Sequence, residues 1–244
     1  MRLPSVRLLL IASSLAAVPS GALGAREASD VRPMPVPSPV VPKANTAAAA
    51  WNMSSVGTID ADVFELALNA ADCAVRSGDV THPSTLTIID YSRPSTDKRL
   101  WVFDLRSREL VYEEVVAHGQ GSGDNMATRF SNEPETHATS LGLFVTADTY
   151  VGKNGYSLRL DGLDRGFNDR ARDRAIVMHG APYVDMARAR VQGRLGRSWG
   201  CPALRDAVAR DVIDLVKGGG LVFGYYPDPE WLSASKYLGD CAAG

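Results

Sequence analysis

Cysteine is scarce: the 244 residues contain three, Cys73, Cys201 and Cys241. That excludes a disulfide-dense miniature scaffold, and a chain of this length buries a sizeable core without such staples. Long apolar runs are missing too. The best, residues 8–18, is about half of the ~20 residues a spanning helix needs. No sign of charge dominates either, since 26 Lys and Arg face 28 Asp and Glu for a net −2. Nothing in that balance points to nucleic acid as a partner. The 22 glycines follow no period, so a collagen-like chain is also out. What is present is ordinary: 45% hydrophobic and 22% charged residues, the composition of one or two folded domains.

Residues 1–24 read as a signal peptide. Arg2 and Arg7 precede the short apolar run, and Ala22-Leu23-Gly24 offers small residues at −3 and −1 for cleavage before Ala25. No Cys follows that point closely, which argues against a lipid anchor. The expectation is an exported protein of the periplasm or cell wall, soluble after cleavage, with no transmembrane segment. Residues 25–57 are rich in Pro and Ala and are expected to form a disordered linker. Residues 58–244 then form the folded domain.

Within that domain, Val63, Leu66, Ala67, Ala70 and Ala74 fall on one helical face, with Asp60 or Asp62 as cap and Gly78 as stop. Extended runs follow at 85–89, 100–103, 110–117, 141–145, 156–160, 175–178 and 221–226. A second helix is expected over 203–217, ended by Gly218-Gly219-Gly220. A helix, many sequential strands and another helix predict an α+β fold, a mostly antiparallel β-rich sandwich or barrel.

Three cysteines in an oxidising compartment leave one unpaired. Cys201 lies in Ser198-Trp199-Gly200-Cys201-Pro202, just before the expected helix. A helix N-terminus lowers a thiol pKa, and backbone N–H groups around Gly200 can hold an oxyanion. Cys201 is therefore the candidate nucleophile, against the alternative of a buried structural thiol. Cys73 and Cys241 remain as the pair that could bridge, or as two free thiols. A nucleophilic thiol needs a base. His179 ends the apolar run Ile176-Val177-Met178 and opens into Gly180-Ala181-Pro182, where a side chain is held rigidly yet meets a loop. His118 also closes a strand, whereas His82 and His137 sit in polar surroundings and read as surface residues. A zinc site from Cys201, His179 and His118 is the competing reading, but no Cys or His pair has the short spacing of such sites. No metal or other cofactor is expected.

His179-Gly180 followed by Ser198-Trp199-Gly200-Cys201-Pro202 resembles the signature of the bacterial murein L,D-transpeptidase catalytic-domain family, in its exported subgroup. Phe130-Ser131-Asn132, Thr139-Ser140-Leu141-Gly142 and Tyr150-Val151-Gly152-Lys153-Asn154-Gly155-Tyr156-Ser157 belong to the same pattern. So do Leu160-Asp161-Gly162-Leu163, Gly166-Phe167-Asn168 and Gly193-Arg194-Leu195-Gly196-Arg197-Ser198. The match runs over about 90–226.

The resemblance implies a cysteine acyl-transferase acting on peptidoglycan stem peptides. Cys201 would attack the third residue of a tetrapeptide donor, release the terminal D-alanine and pass the acyl group from a thioester to an amine. His179 would be the base, oriented by the Gly180 carbonyl, and backbone groups at Gly200 and Cys201 with Ser198 would form the oxyanion hole. Arg197, Trp199, His118 and Ser140 are candidate substrate contacts, and a wall-linked protein is a further candidate partner. Two positions depart from the better-known branch, which has S-H-G-C and an Arg two residues beyond the Cys. This chain has Trp199 and Ala203 there. Arg194, Arg197 and Arg205 are candidates to replace the missing Arg, in a segment, 159–210, that is rich in Arg. Alternatives kept open are an L,D-carboxypeptidase or endopeptidase on the same Cys–His site, and a non-enzymatic wall-binding module. A papain-like peptidase fits less well, because there the Cys precedes the His.

Overall fold

Asp60 opens the first helix, α1 (Ala61–Arg76), its carboxylate accepting the backbone N–H groups of Asp62 and Val63. That satisfies two of the four donors a helix start leaves unpaired. The five residues expected on the apolar face are all buried, and so are Phe64, Leu68, Ala71 and Cys73. The helix is therefore enclosed on more than one side. The computed structural model describes residues 51–239 and Cys241. The predicted signal peptide and residues 25–50 of the predicted linker lie outside the described residues. The last part of that linker is already folded: Trp51 packs edge-on against Phe64 and Phe103 at 5.2 and 5.6 Å, and Val56 is buried. Trp51 and Val56, which the sequence reading put in the linker, thus pack on the domain; an indole against two phenyl rings buries too much apolar area to be left in solvent.

Among the described residues, eight strands form one mixed sheet. They are β1 (Thr85–Asp90), β2 (Leu100–Asp104), β3 (Glu109–Glu114), β4 (Gly142–Gly152), β5 (Gly155–Gly162), β6 (Val177–Gly180), β7 (Ala203–Leu204) and β8 (Leu221–Tyr225). Their spatial order is β3-β2-β1-β8-β4-β5-β6-β7. Only β1–β8 and β6–β7 run parallel. Beyond β3 the chain returns to the far edge, where Ala117 pairs with Ala203 and Gly119 with Ser198. Those bridges bring the two edges together into a nearly closed, β-rich barrel, with helices on the N-terminal side and after the strands. Closure protects edges that would otherwise be open to pairing.

The expected α+β fold holds, with local differences. The helix predicted over 203–217 is α3 (Asp206–Val216), and its first residues belong to β7 instead. Ala203 and Leu204 lie between β6 and the 117 segment, so their backbone groups are taken by sheet partners on both sides. Two short helices were not read from the sequence. In α2 (Met186–Gln192) only Ala189 is buried, so no apolar stripe marks it. In α4 (Pro229–Ala234) the Asp228 cap and Pro at the start are its local signal.

Several family-motif residues brace this scaffold. Asp164 accepts from the Leu143 N–H and from Ser235 Oγ, while Asn168 donates to the Leu143 carbonyl. A Cβ at Gly162 would sit 1.9 Å from the Asn168 carbonyl oxygen, so this crossing admits only glycine. Cys73 and Cys241 form a disulfide across Cα atoms 5.6 Å apart, tying the tail to α1. Lys236 and Tyr237 both reach Asp79 beside it.

Candidate active site

Parallel pairing of β6 with β7 sets His179 opposite Ala203 and Gly180 opposite Leu204. Cys201 lies one two-residue step earlier, next to Val177, whose N–H donates to its sulfur at 3.4 Å. On a strand, positions two apart share a face, so the strand that carries His179 also carries the group that touches the thiol. Cys201 is the one free cysteine of the chain, and it is buried. This placement corrects one expectation. The helix after the motif, α3, starts five residues beyond Cys201, so the thiol does not sit at that helix's first turn. Burial pushes the thiol pKa above its ordinary value, opposed by the Val177 N–H and by the charge of Arg174.

The imidazole of His179 is shifted the other way. Burial lowers its pKa, against a hydrogen bond to Gly180 and the charge of Asp206. Nδ1 lies 2.8 Å from the Gly180 carbonyl oxygen. A carbonyl can only accept, so Nδ1 carries the proton and Nε2 presents a lone pair. A raised thiol and a lowered imidazole both favour the neutral pair at rest.

The loop before Cys201 is held from three sides. Ser198 Oγ donates to the Cys201 carbonyl at 2.6 Å and accepts from the Gly200 N–H at 3.2 Å. Thr139 Oγ1 accepts from the Gly119 N–H and donates to the Gly200 carbonyl. The Ser198 N–H donates to the His118 carbonyl and the Gln120 N–H to the Ser198 carbonyl. Gly200 sits at φ +116°, and a Cβ there would meet the Ala138 carbonyl oxygen at 2.8 Å and Ile176 Cδ1 at 2.9 Å. Sequence reasoning passed over Thr139 as one motif residue among many; only the closed barrel shows that it spans two segments.

Behind the loop is a buried cation. Arg99 donates to the Val116 carbonyl from both Nε and Nη2, to the Arg93 carbonyl, and from Nη2 to His118 Nδ1 at 2.7 Å. Burial and that positive charge push the His118 pKa down to about 4. His118 is thus a neutral, fully buried ring beneath the loop, not a group open to a bound substrate. Ser140 is buried as well, its hydroxyl donating to the Ser131 carbonyl and accepting from Arg174. Arg174 further reaches the Ala138 carbonyl at 2.6 Å and the Ser131 carbonyl at 2.6 Å, which pins the 131–140 segment beside Cys201. Nothing near Arg174 in sequence announces that role.

The arginines offered for the missing position are all engaged. Arg194 and Arg197 pair with Asp124, and Arg205 forms a two-pronged pair with Glu114. The zinc alternative is not gathered: among the described residues no three His, Cys, Asp or Glu side chains converge as a metal site. Trp199 points outward and is 65% exposed. His137, expected at the surface, stacks on it at 4.8 Å with 12° between ring planes. His82 is exposed. Among the described residues, no helix is long and apolar enough to cross a membrane.

Three solved structures similar to this chain illustrate the range. An L,D-transpeptidase from Mycobacterium smegmatis is 14% identical, with a TM-score of 0.36 and 59% of each chain covered. The helical cell shape determining protein Pgp2 (K307A mutant) from Campylobacter jejuni is 13% identical, with a TM-score of 0.41, over 65% of this chain and 55% of that one. An L,D-transpeptidase from Stackebrandtia nassauensis is 14% identical, with a TM-score of 0.35, over 72% and 75%. The chain spans about three-fifths of the length of the first of these. Comparison with curated proteins gives no match. The family model described as the L,D-transpeptidase catalytic domain matches residues 55–225, a span that holds the whole β-sheet, His179 and Cys201, and so the chain belongs to the L,D-transpeptidase catalytic-domain family.

Proposed function

We propose that the protein is an exported cysteine acyl-transferase that acts on peptidoglycan stem peptides. The observation that carries the reading is His179: its Nδ1–H is held by the Gly180 carbonyl, on the strand that also contacts the buried free thiol of Cys201. Nε2 is left as a base facing away from that carbonyl. In the donor half-reaction, Nε2 takes the Cys201 proton as the sulfur attacks the carbonyl of the stem's third residue. A C–S bond forms, the C–N bond to the terminal D-alanine breaks, and the imidazolium returns the proton to the leaving amine. In the second half an acceptor amine attacks the thioester, gives its proton to Nε2, and restores the thiol. General-base help of this kind is worth ~10²–10⁴-fold.

The neutral resting pair suits that sequence, because the thiol is deprotonated as it attacks and no thiolate need be stored in an apolar setting. The oxyanion that develops needs donors. Gly200 N–H is taken by Ser198, so we assign the Cys201 N–H, which lies against its own sulfur, as the backbone donor on that side. Incubation with purified disaccharide-tetrapeptide, resolved by mass, tests the reading. Cross-linked dimer with released D-alanine is expected, lost in Cys201→Ser and reduced at least a hundredfold in His179→Ala. Trimmed tripeptide alone would make water the acceptor, and no turnover by the parent protein would overturn the reading.

A further inference from the structure

The rim of the site carries an aromatic ring that the reaction steps leave unused. Trp199 lies two residues before Cys201 and is the one Trp among the described residues that is mostly exposed. Its ring is not free to wander. His137 stacks flat against it, and Gln120 Nε2 holds His137 Nδ1 at 3.1 Å. His137 itself sits at φ +51°, a backbone setting that an L residue adopts only when its surroundings impose it. A large aromatic kept exposed yet fixed in orientation is preorganised for stacking.

A cation completes the surface. Lys153 sits in the two-residue turn between Gly152 and Gly155, which pair at the end of the β4–β5 hairpin. Its Nζ lies 5.8 Å from the Trp199 ring centroid, within cation–π range. None of the ion pairs among the described residues involves Lys153. That sets it apart from Arg194, Arg197 and Arg205, which carboxylates of the protein already occupy. Lys153 is therefore a cation with no carboxylate partner among the described residues, and it stands over the ring of Trp199, two residues in sequence from Cys201.

We infer that Trp199, His137 and Lys153 form a substrate subsite for a stem-peptide residue bearing a free carboxylate, its aliphatic part on the indole and its carboxylate on the Lys153 ammonium. The inference rests on the proposed function and deepens it by naming where donor selectivity resides. An ammonium paired with a carboxylate at a partly exposed rim contributes a modest preference, about two- to fivefold.

The test measures binding rather than turnover. Cys201→Ala protein is titrated calorimetrically with disaccharide-tetrapeptide and with the same molecule after its carboxylates are converted to carboxamides. The unmodified form should bind about two- to fivefold tighter. Adding Lys153→Met should remove that difference, Lys153→Arg should keep it, and Trp199→Ala should weaken both forms alike. Because Lys153 and Trp199 are exposed, these variants are expected to fold, and circular dichroism verifies it. Discrimination unchanged in Lys153→Met would overturn the subsite while leaving the functional reading intact. If neither form binds the Cys201→Ala protein, the functional reading fails and the subsite falls with it.

Discussion

Ser198→Ala separates two roles for one hydroxyl. The sequence pattern offers Ser198 as an oxyanion donor; the structure commits its Oγ to the Cys201 carbonyl and the Gly200 N–H. Removing it strands an acceptor and a donor in a buried loop, each orphan costing about 1–3 kcal/mol. Partial relaxation and water entry reduce the sum to about 2–4 kcal/mol. For a domain of this size, 1 kcal/mol moves Tm by about 2–4 °C, so a fall of about 5–15 °C is expected. The same change frees the peptide unit that carries the proposed nucleophile. A sulfur displaced by a fraction of an ångström loses its attack geometry, and kcat should fall about 10–100-fold with KM little altered. Differential scanning calorimetry with steady-state assay on disaccharide-tetrapeptide reads both numbers. A Tm within 2 °C of the parent together with a lower kcat would refute the bracing account, because loss of an oxyanion donor costs rate without costing stability.

Two further outcomes follow from the same geometry. Burial raises the Cys201 pKa, and the charge of Arg174 opposes the rise, so iodoacetamide should alkylate the thiol slowly at pH 7. The rate should climb with pH through and beyond the ordinary free-thiol range of about 8.5, with the midpoint higher still in Arg174→Met; a rate already flat from pH 6 would contradict the neutral resting pair. The Cys73–Cys241 bridge spans 168 residues, for which the chain-entropy model allows up to about 5 kcal/mol. Cys241→Ser should therefore lower Tm by at least 5 °C while Cys201 alkylation is unchanged, and a Tm insensitive to both this change and reductant would show that the bridge does not form.

Periodic elements were readable because their periodicity comes from burial. α1 presents five spaced apolar residues to a core that needs them, and β1, β2 and β8 are buried almost end to end because both of their faces are covered, so their side chains are mostly apolar, with Thr85, Thr87 and Asp90 as buried polar exceptions in β1. The helix start at residue 203 misled because Ala-Leu has good helix propensity while its backbone is claimed by β6 and Ala117. Barrel closure is a long-range event that no local window contains. Cys201 and His179 were singled out from residue chemistry and spacing, and the Gly180 carbonyl through the family resemblance; the structure sets Nδ1 of His179 against that carbonyl. Arg99, Thr139, Arg174 and His137 were not, since each acts across at least seventeen residues of chain, through Val116, Gly200, Ala138 and Trp199 respectively. The Arg-rich 159–210 segment illustrates the same limit. Arg172 does pair with Asp161, but Asp164 and Asp169 spend their oxygens on neutral donors, and several arginines reach carboxylates outside the segment.

The proposed role of Cys201 as nucleophile is open to direct observation. A carbapenem presents a strained acyl carbonyl that opens onto a thiol without expelling a leaving group, so the acyl-enzyme persists. Intact mass of the protein after incubation should rise by one drug, peptide mapping should place the adduct on Cys201, and Cys201→Ser should show no rise. An adduct on any other residue, or unchanged mass in a folded protein that turns over disaccharide-tetrapeptide, would contradict the assignment of Cys201 as the acyl-accepting thiol.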